Sequence, residues 1–183
     1  MPLKPVRRYD ARTDALPVPP PGWPSYDAIM RLALEEARQA AAAGEAPVGA
    51  VILSAQGEVL ARAGNSPISS ADPTAHAELR AIRQAAAKIG NYRLLDTIMA
   101  ATLEPCLMCL GAIVHARIGL LVYGAPDPRT GAVDSQLSGP DLPFLNHRFD
   151  VVAGVLAEES GEMLRDFFRS RRGRLKTNAG PEK

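Results

Sequence analysis

The 183-residue chain has the length of one domain, and 46% apolar against 22% charged residues excludes disordered, collagen-like and coiled-coil classes. With 21 basic and 20 acidic side chains the net charge is +1, so no global field steers the molecule towards nucleic acid or an anionic membrane, and any basic footprint has to be local. The two cysteines, Cys106 and Cys109, span too short a loop to staple a fold, which excludes secreted disulfide scaffolds and points to chemistry at the pair.

Residues 1–24 carry seven of the sixteen prolines and read as a proline-rich tail, with Lys4, Arg7, Arg8 and Arg12 on a solvated extension. Ser25 then offers an N-cap, Ile29, Leu32, Ala33 and Ala37 recur at helical spacing, and Gly44 is a plausible C-cap. Val48–Leu53 and Glu58–Ala63 read as strands of a hairpin around Ser54-Ala55-Gln56-Gly57. Asp72-Pro73-Thr74 is a turn-and-cap signal ahead of a helix over Ala75–Ile89 that Gly90 ends. Ile98–Leu103 is a strand stopped by Glu104-Pro105, and Cys106–His115 returns to helical composition. Ile118–Tyr123 and Phe149–Val155 are strand candidates separated by a long loop containing four prolines. Ala157–Arg172 forms the last helix, with Met163, Leu164, Phe167 and Phe168 on its apolar face. Strands alternating with helices predict an α/β layered domain with a largely parallel half-sheet, running from 25 to 176 and followed by a tail over 177–183. The apolar run Cys106–Val114 has nine residues where a membrane span needs about 20, and no leader-like apolar segment opens the chain, so the expectation is a soluble, cytosolic protein.

Cysteines at i and i+3 on a helix lie about 300° apart, close enough for both sulfurs to meet one metal ion. Their place after Pro105, at a helix start, adds unpaired N–H groups and a positive dipole end that favour thiolate. A third ligand has to come from His76, His115 or His147. His115 lies about 240° round the axis from Cys109 and points away, whereas His76, at the start of its own helix, can approach the pair. Three protein ligands leave a tetrahedral zinc ion one open position for water, the arrangement of a catalytic site, and Glu78 is placed to carry protons there. A bare C-x-x-C is also compatible with a thioredoxin-like redox pair, and a His-x-Glu at a helix start with a simple cap. Together, with Pro105 before the first cysteine, they match the His-x-Glu…Pro-Cys-x-x-Cys pattern of zinc-dependent nucleobase deaminases.

From about Tyr26 to about Lys176 the chain resembles the bacterial tRNA adenosine deaminases of the cytidine deaminase superfamily. The likeness runs through Ala46-Pro47-Val48-Gly49-Ala50-Val51, Asn65, Asp72 to Glu78, Asn91 to Leu94, Thr102 to Cys109, Thr130-Gly131-Ala132, Asn146-His147-Arg148 and Phe167 to Arg172. It implies a three-layer α/β/α sandwich around a five-stranded mixed sheet, a homodimer, and one zinc ion per subunit held by His76, Cys106 and Cys109. It implies deamination of adenosine to inosine at the wobble position of an arginine tRNA with an ACG anticodon, Glu78 serving as the proton shuttle. Asn65 corresponds to the base-recognising asparagine, Val48 and the Ala77 backbone to the pocket wall, and Asn146 to a residue that helps hold the RNA. Ser66 stands where many relatives carry arginine, and Pro128 interrupts Asp127 and Arg129 in a segment similar to an RNA-contacting loop.

Residues 165–176 carry six basic side chains and one acid, a local charge of +5, which can neutralise a few phosphates of an anticodon stem-loop. Arg169, Arg171 and Arg172 are the candidates, with Asp127 and Arg129 from the loop; Phe167 and Phe168 are expected in the core rather than stacked on bases. The same charges also complement the dipole of a helix that begins with Glu158 and Glu159. The zinc constellation equally suits a deaminase of guanine or a free nucleoside, and a zinc-stabilised RNA-binding module is the non-enzymatic alternative, against which Glu78 argues.

Overall fold

Alternating apolar positions in the strands divide the core into two layers. In the computed structural model, which describes residues 4–178 (side chains to 172), Ala50 and Ile52 pack on one face of the sheet while Val51 and Leu53 pack on the other. The strands are β1 (Arg8–Asp10), β2 (Gly49–Leu53), β3 (Val59–Gly64), β4 (Ile98–Leu103), β5 (Leu120–Ala125) and β6 (Asp150–Ala153), in the sheet order β1-β6-β5-β4-β2-β3. β2 runs antiparallel to β3 and β4, whereas β4, β5, β6 and β1 are mutually parallel, which is the expected mixed sheet with a parallel half. The helices are α1 (Tyr26–Ala42), α2 (Pro67–Ser70), α3 (Ala77–Ile89), α4 (Leu107–Ala116) and α5 (Ala157–Asn178). α3 and α4 cover the Ile52 face and α1 the Val51 face, giving the three layers.

The sheet has six strands among the described residues, where five were expected. The sixth, β1, comes from the segment read as a tail. Its prolines flank the run Val6–Asp10 without entering it, so that run keeps the N–H groups a ladder needs and pairs Arg8 with Val151 on the free edge of β6. Val6 and Tyr9 pack against opposite layers of the core, and Trp23 donates from Nε1 to the Gly57 carbonyl at 2.8 Å, so residues 4–24 are joined to the domain rather than solvated.

Ser25 caps α1, its hydroxyl accepting from Ala28 N, and Ile29, Met30, Ala33, Leu34 and Ala37 are fully buried. Burial of each large apolar side chain contributes about 1.5–3 kcal/mol. Gly49 lets β2 approach this helix, for a Cβ there would lie 2.0 Å from the Ala33 carbonyl oxygen. α5 runs on to Asn178, past the expected end at Arg172, and its Glu159 bridges to Arg31 and Arg38 of α1. Phe168 departs from the expected apolar face: it is 45% exposed and stands edge-on to Phe167 at 5.4 Å. The side chains of Arg174 and Lys176, and all of the expected C-terminal tail except the backbone of Thr177 and Asn178, lie outside the described residues. No described helix is long and apolar enough to cross a membrane.

Candidate active site

Two helix N-termini meet above the sheet. His76 is the N-cap residue of α3 and Cys106 that of α4, both in extended conformation, with Cys109 in the first turn of α4. His76 is positioned from upstream by the expected turn, where Thr74 donates from both N and Oγ1 to the Asp72 carboxylate. Cys106 follows directly from β4 through Glu104-Pro105, so the parallel half-sheet carries the sulfurs to the end of its strands.

The three donor atoms converge. His76 Nδ1 lies 3.7 Å from Cys106 Sγ and 3.6 Å from Cys109 Sγ, and all three fall within 4.8 Å of one another. A zinc ion with Zn–S of about 2.3 Å and Zn–N of about 2.0–2.1 Å at the tetrahedral angle places sulfur and nitrogen about 3.5–3.6 Å apart. One imidazole and two sulfurs at that spacing fit zinc without rearrangement. Of the other histidines, His115 is exposed and His147 donates from Nε2 to the Ile118 carbonyl at 2.7 Å, so neither joins the cluster.

The electrostatics separate the two sulfurs. Hydrogen bonding from Cys109 and from His76 brings the Cys106 thiol down to about 4 against the opposing effect of burial. Cys109, bonded to that thiolate and fully buried, is driven upward. The bond to Cys106 raises the His76 imidazolium pKa. Burial pushes the Glu78 carboxyl up.

Glu78 sits in the first turn of α3, 3% exposed, with Oε2 buried and without a hydrogen-bond partner. A buried, unpartnered carboxylate oxygen costs several kcal/mol of solvation and is tolerated where a ligand or water completes it. Beside it, the Val48 carbonyl accepts from Asn65 N at 2.9 Å and Asn65 Oδ1 accepts from Ala77 N at 3.0 Å. Hydrogen bonds therefore link Val48 and Asn65 to Ala77 at the start of α3, next to His76 and Glu78, and the bond to Ala77 fixes the Asn65 amide with its NH2 end as the remaining donor.

The expected RNA-side residues are more dispersed. Asn146 is exposed, its carbonyl held by Arg117 Nη1 at 2.7 Å. Asp127 is turned inward on its own loop, accepting from Arg129 N, Thr130 N and Thr130 Oγ1, while Arg129 is exposed. On α5, Arg169 pairs with Asp166, Arg171 lies over the Phe167 ring with Nη1 towards the Gly44 carbonyl, and Arg172 is exposed.

Glu104 escapes the sequence reading, where it only ends a strand. Its buried carboxylate accepts from Val133 N, Asp134 N and Ser135 N on Oε1, and from Asp127 N and Ser135 Oγ on Oε2, tying the loop after β5 to the start of α4. Ala132 N also donates to the Pro105 carbonyl, and Gly131 bridges Cys106. Gly131 is required there, since a Cβ would stand 2.4 Å from the Glu104 carboxylate. The one available signal was a charged residue at the end of an otherwise apolar strand, two positions before a cysteine.

Residues 24–125 match the model of the cytidine and deoxycytidylate deaminase zinc-binding region. A tRNA-specific adenosine deaminase of Haemophilus influenzae is 49% identical over 144 residues, covering 79% of this chain and 83% of the relative. The tRNA-specific adenosine deaminase of Agrobacterium fabrum is 47% identical over 144 residues, covering 79% and 94%. A solved structure from work on A-to-I editing by tRNA:A34 deaminases at the wobble position of transfer RNA superimposes with a TM-score of 0.72 at 46% identity, covering 74% of this chain and 97% of that one.

Proposed function

The chain belongs to the cytidine and deoxycytidylate deaminase family, and from that premise we propose that it is a hydrolase converting adenosine to inosine in tRNA, at the wobble position of an arginine tRNA with an ACG anticodon. The observation that carries this reading is the meeting of His76, Cys106 and Cys109 beside a buried Glu78 with an unsatisfied oxygen. His76, Cys106 and Cys109 would hold one zinc ion per subunit, a Lewis acid that lowers the pKa of a bound water from 15.7 to about 7.

Glu78 is the proton carrier. Its Oε2 takes a proton from the attacking water and delivers it to N1 of adenine as oxygen adds at C6, then takes the second proton from that oxygen and gives it to the amine, so that the C6–N bond breaks, C6=O forms and ammonia leaves. Burial pushes this carboxyl above the ordinary carboxylate range, which favours its holding a transferred proton, as a shuttle must. Asn65 donates to the base from its amide, with Val48 and the Ala77 backbone as the wall against which the ring lies. Asn146, Asp127 and Arg129 border the anticodon loop, and Arg169, Arg171 and Arg172 meet backbone phosphates. An anticodon loop presents its bases unpaired, so placing one in the pocket costs less than the few kcal/mol of flipping from a duplex.

The enzyme is read as a cytoplasmic homodimer, its catalytic domain spanning 25–176 with β1 of the preceding segment added to its sheet; exposed Leu107, Tyr92 and Leu95 offer apolar surface to a second copy. Incubating the zinc-loaded protein with that arginine tRNA and analysing nucleosides tests the function. Inosine at the wobble position is expected, and turnover of free guanine or adenosine with the tRNA untouched would overturn the substrate assignment.

A further inference from the structure

The strand β1 does more than extend the sheet. It pairs with β6, and the Arg7 guanidinium grips the Asp150 carboxylate through Nε at 3.0 Å and Nη2 at 2.5 Å while Arg7 N donates to its other oxygen. This fixes the register of the next residue. Side chains alternate along a strand, so Arg8 projects to the face where Val6 packs, the face that bears α3, α4 and the candidate site.

Arg8 reaches the long segment between β5 and β6 at two points. Nη1 pairs with Asp134 Oδ1, and Nη2 pairs with Asp141 Oδ2 at 2.7 Å in a turn of 3-10 helix at Gly139–Asp141. Asp134 in turn accepts from Tyr123 Oη on its other oxygen and donates its N–H to Glu104. Two steps further, Ala132 N is bonded to Pro105 and Gly131 bridges Cys106. One planar guanidinium thus joins two parts of a loop whose first half is bridged through backbone to Pro105 and Cys106 and whose second half leads to Asn146.

We propose that Arg8 is a positioning residue for substrate: from the added strand β1 it clamps residues 126–146, so that Asp127, Arg129 and Asn146 are held where the RNA meets the site. This rests on the tRNA deaminase reading for its substrate, and on contacts in the structure for the clamp. Arg8 touches neither the donor cluster nor Glu78, so the chemistry itself is independent of it. Loss of the clamp leaves the loop able to visit arrangements that do not bind RNA, and the apparent affinity falls by the fraction of time spent there.

Arg8→Ala and Arg8→Lys, each in the full-length zinc-loaded protein, test this with two readouts. In hydrogen exchange without RNA, Arg8→Ala is expected to speed exchange of the amides in 130–146 while those of α3 stay at the wild-type rate; unchanged exchange in 130–146 overturns the proposal. Partly exposed ion pairs shift an equilibrium by a few-fold each, so the KM for the arginine tRNA anticodon stem-loop should rise about 3- to 10-fold with kcat within about twofold. Arg8→Lys keeps the charge without the fork and should recover part of the KM. A fall in kcat at unchanged KM would mark mere loss of folded enzyme and refute positioning. Wild-type protein that leaves the RNA unchanged would refute the substrate reading, and the exchange result then decides the clamp by itself.

Discussion

Replacement of Glu104 by glutamine removes one charge and almost no volume, which isolates what the buried carboxylate contributes. Burial opposes its ionisation, yet the bonds from Ser135, Asp134 and Asp127 outweigh that and hold the Glu104 carboxyl below the ordinary carboxylate range. Three backbone N–H groups converge on Oε1 at 3.1, 2.8 and 2.9 Å, and a fourth meets Oε2 at 3.0 Å. An amide NH2 cannot accept on either side. Its less costly orientation faces Asp127 N and Ser135, whose hydroxyl can turn to accept, leaving one N–H opposed to an N–H and three bonds without charge assistance. Bonds to charged groups contribute about 1.5–3 kcal/mol each, roughly twice the neutral kind, so the substitution should cost about 2–4 kcal/mol. At about 2–4 °C per kcal/mol for a chain of this size, Tm should fall by about 5–15 °C, and Glu104→Ala, which orphans all four N–H groups, should fall further. Thermal unfolding of the zinc-loaded protein checks this. A glutamine variant within about 1 °C of wild type would show that the carboxylate, with its converging N–H donors, does not organise the loop.

Three further outcomes follow from the same geometry. Glu78→Ala should retain zinc in full while losing at least about 10²–10⁴-fold in deamination rate, the span of general acid–base catalysis; near-normal turnover would remove Glu78 from the mechanism. Cys106→Ser should lower the zinc bound per chain after gel filtration, and a wild-type metal content would contradict its assignment as ligand. Glu45, 2% exposed, resists ionisation through burial but is held below the usual range by the N–H groups of Ser69 and Ile68 at the start of α2 and by nearby Arg171. Its folded-state pKa is therefore depressed, so the stability it adds is complete above the unfolded value of about 4.3 and disappears as pH falls through the folded value. The urea midpoint of Glu45→Gln should lie below wild type at pH 6–7, and the gap should shrink as pH falls below the unfolded carboxyl value; a gap that stays constant there would refute the linkage.

How far the fold was legible depended on how local its causes are. β4 lies over Ile98–Leu103 as its apolar run predicts, and α3 ends where Gly90 takes a φ of +67°. α4 begins one residue late because Cys106 is its N-cap rather than its first helical residue, and β5 begins two residues late because Arg117 closes α4 at a φ of +64° and Ile118 N still bonds back to the Ile113 carbonyl. β1 is three residues long with polar side chains and sits among prolines; only the free edge of β6, 140 positions away in the chain, makes it a strand. Nor could composition show that Phe168, at a helical spacing shared with Leu164, would face solvent, since that depends on where the end of α5 leaves the sheet.

The site was legible for a different reason. A ligand set of one histidine and two cysteines is scarce in a chain with three histidines and two cysteines, so elimination by helical geometry removes His115, and residue identity does most of the selection. Convergence is then a property of the sheet order: β4 lies between β2 and β5, so the chain leaving β4 enters α4 next to α3, whose N-cap is His76. Both helix N-termini point their unpaired N–H groups at the same volume, which favours a thiolate at Cys106 and a negatively charged or polarised oxygen near Glu78. What supports that volume was not legible, because Glu104, Tyr123, Asp134 and Arg8 act through bonds to backbone and to each other across 126 positions of sequence, and each taken singly is an ordinary surface or strand-end residue. The chemistry is written in rare side chains at fixed spacings, whereas the shell that holds it is written in common ones whose partners only the fold supplies.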